Sequence, residues 1–310
     1  MIVLAAAFLL PTLFWDKGPE TANLLIQCGI SRISVPASNA DAWKAVPGIT
    51  AETGDPAKLT KVLTPSVTFR AEEASATRAP WVNSNGWRFL REPDGNFYYE
   101  APGGAAALAA AEAFAYGVHA AIHTDDKGVV GFGKMLKFLQ GVGGEDLPAT
   151  VNIGFIDDGS KDSGEFMNLL VRRNLLFKVV KQADPKVDLN VQIGSPEYPR
   201  SEAGNPSLLA EKVRGNLTDK KRLLRIYGSE VVVGRLLGNG RTARLFLINY
   251  GAARAAVQGL RVRVSGVYPN AAIGQYDVPG VDLQDIDRDS SGTEFTIPEL
   301  KTFAVIDLSH

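Results

Sequence analysis

The sequence predicts an α/β protein that ends in an all-β domain. Strand-like and helix-like stretches alternate through roughly the first 200 residues, the pattern of βα units. After Leu223 the texture changes to short β-branched runs separated by turn residues. Between the two, residues 80–100 hold a cluster of aromatics that breaks the alternation. A chain of 310 residues, 45% hydrophobic, has the length for about two domains and enough apolar material for a sizeable core.

Met1 to Leu10 is nearly all apolar and runs into Pro11. It is too short to span a membrane and lacks a basic start, so it reads as an export signal leading into a first strand, Pro11 to Trp15. A buried apolar lead-in to that strand is the alternative; the signal implies a secreted or periplasmic protein. Pro19 to Cys28 reads as a helix stopped by Gly29, Ile30 to Val35 as a strand closed by Pro36, and Asn39 to Val46 as a short helix. Gly48 to Glu52 reads as a strand. Asp55 to Leu63 reads as a helix capped by Asp55 with Pro56 in its first turn, and Val67 to Arg70 as a strand.

In the aromatic block, Pro93-Asp94-Gly95-Asn96 is a turn signal between Trp87 to Arg91 and Asn96 to Glu100. A β-hairpin is expected there. The alanine-rich stretch Gly103 to Tyr116 is a helix by propensity, ended by Gly117, and Val118 to Ile122 is the next strand. Lys134 to Leu139 is helical. Ala149 to Ile156 is the clearest buried strand, Ser163 to Arg173 an amphipathic helix, and Leu176 to Val180 and Leu189 to Gly194 are strands. Residues 149–200 therefore also fit a βαβ unit of an open sheet. Beyond a linker near Asp219 to Leu223, strands are expected at Val231 to Val233, Ala243 to Asn249, Leu260 to Val264, Thr293 to Ile297 and Phe303 to Leu308. Arg261 and Arg263 alternate with apolar neighbours, the period-two signature of a sheet with one wet face.

Composition excludes several functions. The net charge is −1, and the basic residues near Arg214 to Arg225 are interleaved with acids, so no nucleic-acid partner is expected. A single cysteine, Cys28, permits no internal disulfide and no cysteine metal site, and three histidines are too few for a histidine cage. No Gly-x-Ser-x-Gly elbow or phosphate loop of the Walker type occurs, and Gly238-Asn239-Gly240 lies between strands as a hairpin turn. No cofactor, metal or membrane span is expected; the oligomeric state stays open.

Arg244 to Tyr250, Leu260 to Val264 and the closing strand Thr302 to Leu308 resemble the β-domain that follows the (β/α) barrel of bacterial glycoside hydrolases. The resemblance has some specificity over about the last ninety residues and is one of layout before them. It implies a (β/α) TIM-barrel-like domain over residues 1–221, followed by an antiparallel β-sandwich over residues 222–310, with carbohydrate as ligand and glycoside hydrolysis as the expected activity; a non-catalytic carbohydrate-binding or structural protein on a degenerate barrel is the alternative. A full barrel usually takes ~250 residues, so this one is expected to be trimmed or degenerate. No family catalytic motif matches, so no catalytic residue follows from the resemblance.

Working residues of parallel α/β proteins gather at the carboxyl ends of strands. The polar residues there are Asp16, Glu52, Glu72, Glu73, His123, Asp125, Asp126, Asp157 and Asp158. Glycoside hydrolysis needs two carboxyl groups flanking one bond. Asp157 is the first catalytic candidate because it follows the most clearly buried strand; a turn and helix cap at Asp157 to Ser160 is the alternative. Asp125, beside His123, is the second, with an exposed loop as its alternative. Asp16 and His123 are candidate sugar-binding residues. So are Asn83, Asn85, Trp87, Arg88 and Tyr98 of the aromatic block, whose flat faces and amide or guanidinium donors suit a sugar; a packed hairpin core is the alternative. The acids Asp282, Asp285, Asp287 and Asp289 read as a solvated loop, with calcium as the lesser alternative. The β-domain is expected to be a stabilising appendage without a catalytic residue.

Overall fold

The computed structural model describes residues 9–68 and 80–310. The apolar leader over residues 1–8, the end of the strand expected at 67–70, and the acids Glu72 and Glu73 lie outside the described residues. The chain divides into two compact units, residues 1–66 with 92–146 and residues 67–91 with 147–310.

The first unit begins with β1 (Thr12–Phe14), α1 (Ala22–Gln27), β2 (Arg32–Val35), α2 (Ala40–Trp43), β3 (Thr50–Thr53) and β4 (Thr60–Val62). The chain then forms β5 (Ser66–Thr68), β6 (Trp81–Asn83) and α3 (Gly86–Arg91), which belong to the second unit apart from Ser66. It returns for β7 (Asn96–Glu100), α4 (Ala105–Tyr116), β8 (His119–His123) and α5 (Asp126–Gln140).

The six strands of this unit make one sheet in the order β3-β2-β1-β8-β7-β4, with every neighbouring pair parallel. The last strand pairs with the first, and all other neighbours follow chain order within the unit. Among the described residues the sheet is open, with β3 and β4 at its edges. Parallel partners side by side point to one face. Leu13, Ile33, Val62, Phe97, Tyr99, Ala120 and Ile122 are buried on one face. Helix α4 packs between β8 and α5, and every residue from Ala106 to Ala115 is buried. Its alanines leave room for this because they add almost no bulk. Gly117, at φ 66, ends it in the left-handed conformation that favours glycine. The opposite face is polar: Arg32, Glu52, Lys61, Glu100 and His119 are exposed there, and only Phe14 and Tyr98 are buried.

The second unit continues with β9 (Ile153–Ile156), α6 (Lys161–Arg172), β10 (Phe177–Val180), β11 (Leu189–Gln192) and α7 (Pro206–Lys221). The strands form a parallel sheet, β10-β9-β11, with α6 as the crossover, the expected βαβ unit. The β-rich part follows: β12 (Leu224–Tyr227), β13 (Val232–Gly238), β14 (Thr242–Asn249), β15 (Val257–Ser265), β16 (Asn270–Gln275), β17 (Gln284–Asp289), β18 (Gly292–Leu300) and β19 (Phe303–Ser309). Two antiparallel sheets, β12-β15-β18-β17 and β13-β14-β19-β16, enclose one core containing Leu224, Leu245, Val262, Phe295 and Ile306. Leu176 belongs to that core and Val151 packs against it. The Asn174 side chain bonds β13 on both sides, donating to Val232 O (3.2 Å) and accepting from Gly234 N (2.7 Å). The parallel sheet and the sandwich thus share core and hydrogen bonds.

Three sequence expectations are corrected. Trp87 to Arg91 is helix α3, not a hairpin arm, and β7 pairs in parallel with β4 and β8. Trp87 and Arg88 therefore stand in the second unit and Tyr98 in the first. The alternation of Trp87 and Phe89 suggested a strand, but Phe89 is buried while Arg91, four residues after Trp87, stacks on its ring at 5.2 Å, a helical neighbour. Asp55 caps only a single 3-10 turn, Pro56–Lys58, and β4 follows because its backbone completes the sheet beside β7. The acidic stretch near Asp282 to Asp289 contains edge strand β17, whose residues are all exposed. Arg263 holds Asp289, and no group of three His, Cys, Asp or Glu gathers among the described residues. No described helix is long and apolar enough to cross a membrane.

Candidate functional site

The carboxyl ends of β1, β8 and β7 bring chemistry-bearing side chains together. Phe14, His123 and Glu100 are register partners across these three strands. Asp16 lies two residues past Phe14, and its Oδ1 is 3.3 Å from His123 Nε2. The His123 ring stacks on Tyr98, with centroids 6.4 Å apart and planes 16° apart. Phe14 meets both rings edge-on at 5.9 Å. On the other side, Lys61 of β4 donates to Glu100 Oε2 at 2.6 Å.

Electrostatics follow from this arrangement. The hydrogen bond and charge of Lys61 hold the Glu100 carboxyl below the usual carboxylate range. Burial pushes the Tyr98 phenol up, and the charges of Glu100 and Asp16 push it further. Tyr98 is only 7% exposed, yet its hydroxyl has no hydrogen-bond partner among the described residues. It remains a neutral donor facing two carboxylates, one from the β1 end and one from the β7 end. Those strands lie two places apart in the sheet, about 10 Å at ordinary strand spacing.

Of the residues expected at a site, Asp16, Tyr98 and His123 meet here. Asp125 is exposed next to them, but its Oδ1 caps α5 by accepting from Gly128 N (2.7 Å) and also accepts from Gly103 N (3.0 Å). Those two backbone bonds lower its carboxyl. Asp126 pairs with Lys17 at 2.7 Å.

Glu52, also in the first unit, pairs with Arg32 at 2.8 Å. The other described candidates stand in the second unit and take part in packing. Asp157 accepts both arms of the Arg91 guanidinium at 2.8 Å each, and its side chain is only 10% exposed. Asp158 accepts from Ser160 N, Ser163 Oγ and Arg200 Nη2, and its bonds with Ser160, Arg200 and Ser163 hold its carboxyl far below the usual range. Trp87 packs where a Cβ on Gly164 of α6 would come within 2.9 Å of its ring. Arg88 lies 4.3 Å over that ring and donates to Asn85 Oδ1 at 3.5 Å, while Asn85 itself is fully buried. Asn83 donates to Thr68 at 3.1 Å. Glu100 and Lys61 do not stand out in the sequence, because the turn signal before Asn96 suggests a hairpin arm and the Asp55 cap suggests a helix where β7 and β4 stand. The strand-final position of Glu100, after buried Phe97 and Tyr99, was the available signal.

No family model matches the chain, and no curated protein matches it in sequence. Solved structures do match in fold. An α-L-fucosidase isoenzyme 2 from Paenibacillus thiaminolyticus matches with a TM-score of 0.56 at 9% identity, over 88% of this chain and 70% of that one. A GH42 β-galactosidase from G. stearothermophilus matches at 7% identity and a TM-score of 0.37, over 86% of this chain and 65% of that one. A β-galactosidase from Rahnella matches at 9% identity and a TM-score of 0.37, over 72% and 61%. At such identity the likeness to the fucosidase is one of fold: an α/β part followed by a β-rich part.

Proposed function

We propose that this chain is a carbohydrate-active protein that binds a sugar at the carboxyl ends of β1, β8 and β7. The observation that carries the proposal is the pair of carboxylates, Asp16 and Glu100, set around Tyr98 and His123 at those ends. Hydroxyl groups of a sugar both donate and accept, and this cluster offers both roles within a few ångströms. The fold-level likeness to a fucosidase supports the same class of ligand. We also propose that the first unit is a trimmed (β/α) barrel within the N-terminal domain over residues 1–221. Its strand order is that of a ring, opened between β3 and β4. The sandwich over residues 222–310 is then its stabilising appendage.

Hydrolysis is the second reading, because two carboxyl groups stand on either side of the cluster. For that chemistry Asp16 and Glu100 flank the Tyr98–His123 cluster, whereas both oxygens of Asp157 are held by Arg91 and Oδ1 of Asp125 caps α5. A panel of oligosaccharides and aryl glycosides, tested for binding by calorimetry and for turnover, separates the readings. Binding that weakens in Glu100→Gln but not in Asp282→Asn supports the site. Turnover abolished by the same change supports hydrolysis. A folded protein that binds none of the panel sinks the proposal.

A further inference from the structure

We infer that the strand-end site takes an uncharged sugar and rejects one that carries a carboxylate, such as a uronic acid. This rests on the carbohydrate reading above. A sugar acid needs an uncommitted cation, most effectively an arginine whose fork matches the carboxylate. Among the described residues, the cations near these strand ends already face carboxylates of the protein. Lys61 holds Glu100 at 2.6 Å, Lys17 holds Asp126 at 2.7 Å, and the charge of Lys127 acts on Asp125. His123 faces Asp16 at 3.3 Å.

The group left to meet a ligand is neutral. The Tyr98 side chain is buried along its ring, and its hydroxyl is without a partner among the described residues. It shares the polar face of β7 with Glu100, and both Glu100 and Asp16 act on it electrostatically. A ligand hydroxyl placed there can accept from Tyr98 and donate to either carboxylate. A ligand carboxylate placed there meets two like charges, while the described cations nearby already face carboxylates of the protein, and like-charge juxtaposition is strongly unfavourable.

Matched pairs of methyl glycosides test this: glucose with glucuronate, galactose with galacturonate, mannose with mannuronate, each titrated into the full chain by calorimetry at pH 7. The neutral member of the pair that binds is expected to be at least about tenfold tighter. Glu100→Gln and Asp16→Asn, which each remove one negative charge, are expected to narrow that ratio. Tyr98→Phe keeps the ring and is expected to weaken the neutral member by about tenfold. A uronate that binds as tightly as its neutral partner overturns the inference and leaves the carbohydrate reading standing. A ratio unmoved by both charge-removing changes also overturns it. Absence of binding by every member overturns both.

Discussion

Removing the Asp157 carboxylate is expected to destabilise the protein without touching sugar binding. Asp157 and Arg91 form a two-pronged pair, Nε to Oδ2 and Nη2 to Oδ1, each 2.8 Å. Their side chains are 10% and 19% exposed. Arg91 also donates to Ser160 O at 3.1 Å, and Asp157 accepts from Gly159 N at 3.0 Å. The pair thus ties α3 to the turn between β9 and α6. An exposed ion pair contributes ~0.2–1 kcal/mol, whereas removing one partner of a buried pair costs ~3–5 kcal/mol. The low exposure places this pair near the buried case, so Asp157→Ala should cost about 3 kcal/mol. In a folding unit of this size that lowers Tm by roughly 6–12 °C. Thermal unfolding followed by circular dichroism reads the change, and the double variant Arg91→Met with Asp157→Leu should recover much of it, because an apolar pair removes the stranded charge. A catalytic carboxylate behaves differently. If Asp157→Ala left Tm unchanged or raised it while abolishing turnover, the structural account of Asp157 would be wrong.

Other outcomes follow from single contacts. Asn174 sits at φ 55, a conformation asparagine tolerates, and supplies both bonds to β13; Asn174→Ala should cost about 1–3 kcal/mol in chemical denaturation through the buried groups it strands. A chain ended at Asp219 loses the sandwich side of a shared core and should come out insoluble or with a clearly lower melting point; an unchanged melting temperature would make the sandwich an independent module. Gly133→Ala improves helix propensity by about 1 kcal/mol, yet its Cβ would lie 2.2 Å from the Cys28 carbonyl oxygen, so a net fall in Tm is expected. Asp158 has a folded-state pKa below its unfolded value, so its stabilising contribution is present above about pH 4. It is lost as pH falls from there through the folded value. Asp158→Asn should therefore lower stability at pH 7 and flatten its acid dependence, which pH-resolved melting curves would reveal.

Local sequence determined the elements whose cause is local. The alanine run with Gly117 beyond it specifies α4, and the β-branched runs of β14, β15 and β19 announce a sandwich through their alternation. The apolar run at Ile153 to Ile156 announces a buried parallel strand. Candidate residues at the ends of such strands, Asp16 and His123, were legible for the same reason. Tertiary structure decided the rest. Trp87 to Arg91 alternates like a strand, and its helix is held by packing on Gly164 and by Asp157, 66 residues away. β4 and β17 carry little propensity of their own and exist because a neighbouring edge offers hydrogen bonds. The partners of each acid also lie far off in sequence. Arg91 engages Asp157, Gly103 engages Asp125 across 22 positions, and Lys61 engages Glu100 across 39. Sequence fixes which residues can ionise and which strands they end; only the pairing of those strands decides which carboxylates are consumed by the fold and which remain to meet a ligand.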